Sequence, residues 1–72
     1  MAQQRLKSAP ELLDLYYHEM RSHLLEVAAA FDRIERAGGA AHPRLAELRR
    51  AGAVAIDTAP DRARRLLELL SD

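Results

Sequence analysis

The sequence predicts an all-α protein: one long N-terminal helix packed against two shorter helices and completed as a helical bundle by homodimerisation. Three observations carry that expectation. The apolar share is 49% of the residues, with two tyrosines, one phenylalanine and no tryptophan; it is mostly Ala and Leu, and this composition favours helix over strand. Apolar positions from Leu13 to Ile34 recur at alternating spacings of four and three, the signature of a helix–helix seam. Finally, "SAPE" at 8–11, "TAPD" at 58–61 and the glycines after Ala37 read as helix punctuation.

Chain length bounds the fold. A chain of 72 residues sits where a single core is marginal, burying roughly 60% of the surface that its unfolded form exposes. One three-helix domain over residues 8–72 is expected, preceded by a flexible tail over residues 1–7. With 49% hydrophobic and 31% charged residues, the chain is too apolar to remain disordered.

The first helix is expected over about residues 9–37. Ser8 and Glu11 fit a capping box, in which the hydroxyl accepts from the amide three residues on and the carboxylate reaches back. Pro10 costs little there, because its missing N–H falls among first-turn donors that lack an intrahelical partner. Gly38 supplies the left-handed stop, and Arg33 and Arg36 suit the C-terminal end of the dipole. The seam consists of Leu13, Tyr17, Met20, Leu24, Val27, Phe31 and Ile34, and these seven are the candidate interface residues. Tyr16, Ala28, Ala30 and Ala37 flank them, while Leu12, Leu15, Leu25 and Ala29 lie partly off the stripe, so the helix asks to be covered on more than one side.

A second helix is expected over about residues 43–56 with Leu45, Leu48 and Ala55 or Ile56 inward, and Gly52 either tolerated or ending it early. A third, over about residues 59–70, repeats the first helix's start with Thr58, Pro60 and Asp61. It would turn Ala63, Leu66, Leu67 and Leu70 to one face and leave Leu69 spare. The sequences flanking "SAPE" and "TAPD" do not match, so the likeness is read as one local solution used twice and not as an internal repeat.

Two short helices cover at most one side of the long one, and a second copy whose long helix runs antiparallel would cover the rest. Six acids against three bases over residues 8–37, and Arg44, Arg49 and Arg50 beside Glu47 in the second helix, favour pairing of those helices, though surface pairs add little energy.

Composition narrows the function classes. Eleven basic residues balance eleven acidic ones, so no long-range field draws the chain to nucleic acid or to an anionic membrane. The absence of cysteine excludes disulfides and thiolate metal sites and suits a reducing cytosol. No apolar run approaches the ~18 residues of a membrane span, and "MAQQRLK" lacks a signal-peptide core; a cytoplasmic protein is expected. The stretch "LLEVAAAFDRIERA" has the Ala- and Arg-rich composition of small bacterial helical proteins, a remark about composition alone.

Glu19, His23 and Glu26 form the one polar cluster with chemical potential, since they fall within about 60° of one another around the first helix. Carboxylates and an imidazole on the inner faces of paired helices are what a metal-carboxylate bundle uses for Fe, Mn or Zn. The order here is Glu-x-x-x-His-x-x-Glu instead of the usual Glu-x-x-His, and an exposed ion-pair ladder is the plainer reading. His18 reads as solvent-facing and His42 as a loop residue. No Ser has a base at a recognisable spacing and no Gly-rich phosphate loop follows a strand, so no enzyme activity and no cofactor are expected. Arg44, Arg49, Arg50, Arg62, Arg64 and Arg65 could serve a nucleic-acid surface, but Glu47, Asp57, Asp61 and Glu68 interleave with them. The expected function is a small oligomerising or adaptor module whose partner is itself or another protein. A carboxylate/histidine metal bundle is the alternative, and a weak nucleic-acid binder the third reading.

Overall fold

The computed structural model describes residues 6–71, and over these the chain is all-α, with three helices and no strand. Helix α1 spans Ala9–Arg36, α2 spans Pro43–Ile56 and α3 spans Arg62–Leu70. Residues 1–5 of the expected tail, and Asp72, lie outside the described residues; Leu6, Lys7 and Ser8 lead into α1 as exposed irregular chain. The contacts of the chain divide it after Arg33 into two compact units.

The first unit is α1 as far as Arg33. Its start is the expected capping box: the Ser8 amide donates to Glu11 Oε1 at 2.8 Å and the Glu11 amide donates to Ser8 Oγ at 3.3 Å. The Leu12 amide closes the first turn on the Ser8 carbonyl at 2.9 Å. The bond from the Ser8 amide, followed by that from its hydroxyl, holds the Glu11 carboxyl below its ordinary value. No residue of α1 is buried; Ala29 and Phe31 are half-buried and the rest are exposed.

The second unit begins at Ile34. Two nested bonds, Gly39 N–H to the Ile34 carbonyl at 2.9 Å and Gly38 N–H to the Glu35 carbonyl at 3.0 Å, end α1 in a Schellman turn. Gly38 takes φ +91°, as the turn requires. A Cβ on Gly39 would stand 2.6 Å from Ile34 Cγ2, so close approach to the helix end demands glycine there too.

Helix α2 runs through Gly52 to Ile56, which resolves the alternatives in favour of the longer helix. A Cβ at Gly52 would meet nothing within 4 Å. The helix is capped by His42, whose Nδ1 accepts from the Arg44 amide at 3.1 Å, with Pro43 in the first turn. Helix α3 packs against α2. Leu45, at 3% exposure, and Ala51 are buried, with Val54, Leu66 and Leu69 half-buried.

Three expectations for this unit are corrected. Helix α3 starts at Arg62 and not at 59, because "TAPD" folds as a turn. Its inward leucines are Leu66 and Leu69, whereas Leu67 is 66% exposed and Leu70 is exposed as well. On α2, Leu48, Ala55 and Ile56 are exposed, and Ala51 and Val54 take the inward places.

The turn explains the first two corrections. Asp57 Oδ1 accepts from the Ala59 amide at 3.1 Å. Both Asp57 carboxylate oxygens take a bidentate grip from Arg65, Nη1 to Oδ2 at 2.9 Å and Nη2 to Oδ1 at 2.7 Å. Arg65 also donates Nε to the Pro60 carbonyl at 3.0 Å and Nη2 to the Ala59 carbonyl at 3.1 Å. Arg62 Nε donates to the Asp57 carbonyl. A planar guanidinium with several donors can satisfy a whole turn in this way, and it orients α3 by pulling the Arg62–Arg65 side towards the end of α2. Leu66 and Leu69 lie on that side, and Leu67 and Leu70 are turned outward.

Candidate association face

The helix that carries the candidate site owes its form to its ends and its spacing. The Ser8–Glu11 box fixes its start, Ala- and Leu-rich sequence sustains it, and the seven seam residues then share one stripe. Leu13, Tyr17, Met20, Leu24, Val27 and Ile34 are exposed, with Tyr17 at 58% and Leu24 at 55%, and Phe31 is half-buried. Single exposed leucines are ordinary on a protein surface; a continuous stripe of large apolar side chains is what marks a contact surface. The second group stands off the stripe, with Leu12, Leu15 and Leu25 exposed and Ala29 half-buried. Tyr16 flanks the N-terminal half of the stripe, to which Tyr17 belongs, and the Tyr17 ring meets His18 edge to face, 5.4 Å between centroids.

Glu19, His23 and Glu26 are brought together as a ladder. His23 Nε2 lies 3.6 Å from Glu19 Oε1, and His23 Nδ1 lies 3.9 Å from Glu26 Oε2, with all three side chains about two-thirds exposed or more. Each ring nitrogen therefore faces a different carboxylate. Among the described residues no group of three or more His, Cys, Asp or Glu is arranged to hold a metal ion. Pairs this exposed contribute little.

The arginines are largely engaged in holding their own unit. Arg49 pairs with Glu35, Arg62 and Arg65 with Asp57, and Arg64 with Asp61 at 3.3 Å. Four of the six arginines considered for nucleic acid are thus ion-paired to carboxylates within the chain. The bond from Arg65 holds the Asp57 carboxyl below its ordinary value and raises the Arg65 guanidinium in turn.

Two side chains do structural work that differs from their reading in the sequence. His42 is a helix cap, a role seldom taken by imidazole in place of Ser, Thr, Asp or Asn. Arg65 organises a turn eight residues from its partner; the only signal for it was an acid immediately before, and a cluster of bases immediately after, a Pro-containing stretch. Among the described residues no helix is long and apolar enough to cross a membrane.

The fold and the site define a small all-α chain with an apolar helix face. Compared with family models, curated proteins and solved structures, the chain has no match.

Proposed function

We propose that this chain is a small, non-catalytic association module that acts in the cytoplasm, in which the α1 seam is the contact surface and homodimerisation completes a helical bundle. A single observation carries the reading: Leu13, Tyr17, Met20, Leu24 and Val27 share one face of one helix and are exposed together. Burying large apolar side chains is the principal driving force for association, worth about 1.5–3 kcal/mol for each Leu, Val or Met fully removed from water. The second apolar group on α1 gives a surface for another partner protein. Neither the carboxylate–histidine ladder, in which each ring nitrogen faces a different carboxylate, nor the arginines, which are mostly ion-paired, favours metal binding or nucleic-acid binding over this reading.

The test is the mass of the full-length chain in solution. Light scattering at high micromolar concentration should return a species heavier than the 8.1 kDa of one chain. Leu24→Glu should return it to the single-chain mass, while Ser22→Glu, off the seam, should leave the larger species intact. A parent protein that scatters as one chain overturns the proposal.

A further inference from the structure

Resting on the association reading above, we infer that the occupant of the α1 seam is α1 of a second copy running antiparallel, with the two-fold axis through the Met20–Leu24 layer. In a two-fold contact the same patch serves both copies, so residue i meets j and j meets i, and the patch must fit itself. The α1 face is built to do so. Its N-terminal half carries the bulky Tyr16 and Tyr17, and its C-terminal half carries the slim Ala28 and Ala30 around Val27.

Antiparallel pairing about that axis sets Leu13 opposite Phe31 of the second copy, Tyr17 opposite Val27, Met20 opposite Leu24, and Tyr16 opposite Ala30. Each bulky ring of the N-terminal half then meets a small neighbour, as close packing of a core demands. A parallel pair would lay Tyr17 on Tyr17 in one layer and Val27 on Val27 in another, crowding the first and leaving the second loosely filled.

Charge favours the same direction. Before Arg21, α1 holds Glu11, Asp14 and Glu19 with no Lys or Arg, whereas from Arg21 onward three arginines balance Glu26, Asp32 and Glu35. Parallel helices would bring two net-acidic N-terminal halves side by side. Antiparallel helices set each acidic half against a balanced one, and they also oppose the two helix dipoles.

The chain contains no cysteine, so single nitroxide labels can be placed in the otherwise unaltered full-length protein at Ser22→Cys and Asp32→Cys, both exposed and off the seam. Pulsed electron-spin distance measurements read the label-to-label separation, and light scattering reads the mass of each labelled protein. With an axis near residue 22 and a rise of 1.5 Å per residue, the Asp32 labels should stand about 30 Å further apart along the axis than the Ser22 labels, which lie level. A mass above one chain with clearly unequal separations supports the antiparallel arrangement. A mass above one chain with equal separations at the two sites overturns this inference and leaves the association reading standing. A single-chain mass overturns the association reading and this inference with it.

Discussion

The starts of α1 and α3 are spelled almost alike and built differently. At "SAPE", Ser8 and Glu11 exchange hydrogen bonds, and Pro10 sits inside the first turn of a helix that begins at Ala9. At "TAPD", Pro60 lies outside the helix, Asp61 stands in the left-handed region at φ 61° with no side-chain capping bond, and α3 begins only at Arg62. Local chemistry suffices for the first start; the second is held by side chains on either side of it.

Two physical differences separate them. Glu11 has one more methylene than Asp61, and that reach is what returns the carboxylate to the amide of the capping residue. In the second case the residue before the motif is itself an acid: Asp57 takes the Ala59 amide for a turn of its own and then receives Arg65. Before "SAPE" stands Lys7, which has no acceptor to offer. A motif of four residues is thus read through its neighbours, and the charge of one of them decides whether it starts a helix or a turn.

The largest way to sharpen this contrast is to empty the core behind the second start. Leu45 is the most buried large side chain among the described residues, and Leu45→Ala should cost about 2–5 kcal/mol, a large share of what so small a fold possesses. Amide hydrogen exchange should show α3 and the turn before it losing protection while the first turn of α1 keeps its own. Equal loss at both sites would mean that the α1 start also depends on distant packing.

A second, smaller break uses acid. Because Arg65 holds Asp57 below its ordinary value, the stabilisation is present at and above the normal carboxylate range and disappears as pH falls through the lowered value. Glu11 is lowered as well, by Ser8, so the parent has two such contributions. Asp57→Asn removes one of them. It should melt below the parent at neutral pH, and the gap between the two melting curves should narrow in strong acid. A gap that stays constant down to strongly acidic pH would show that the Arg65 clamp contributes nothing to stability.

What could be read from the sequence follows the same divide between local and distant causes. The helical class, the Ser8 box and the stop at Gly38 each depend on residues within a turn or two of one another, and all are present in the fold. The α3 start and the choice of Leu66 and Leu69 over Leu67 and Leu70 depend on Arg65 reaching back eight residues to Asp57, a contact that no periodicity reveals. Four leucines in five residues leave the facing of a short helix undetermined until something anchors it. The extension of α2 through Gly52 was undecidable for a related reason, since one glycine costs about 1 kcal/mol against alanine and the packing of its neighbours settles whether the helix tolerates it. For the candidate site, the ladder's proximity follows from helical spacing, but which carboxylate each ring nitrogen faces does not, because the orientation of the imidazole ring is not written in the spacing.

The finest test removes the one hydroxyl from each motif. Ser8 Oγ accepts from the Glu11 amide, and Ser8→Ala should cost about 1 kcal/mol, the usual loss for a helix cap. That loss should appear as faster exchange of the first-turn amides of α1. Thr58 occupies the matching place before Ala59 and Pro60, yet the Ala59 amide is taken by Asp57 and the donors of the turn are supplied by Arg65. Thr58→Ala should therefore change stability by no more than about 0.5 kcal/mol, as for an ordinary surface substitution. Thermal melts of the two variants beside the parent measure the difference directly. If they are destabilised equally, Thr58 is a cap after all and the two motifs share one mechanism; if only Ser8→Ala is, then the likeness of "SAPE" and "TAPD" ends at their spelling.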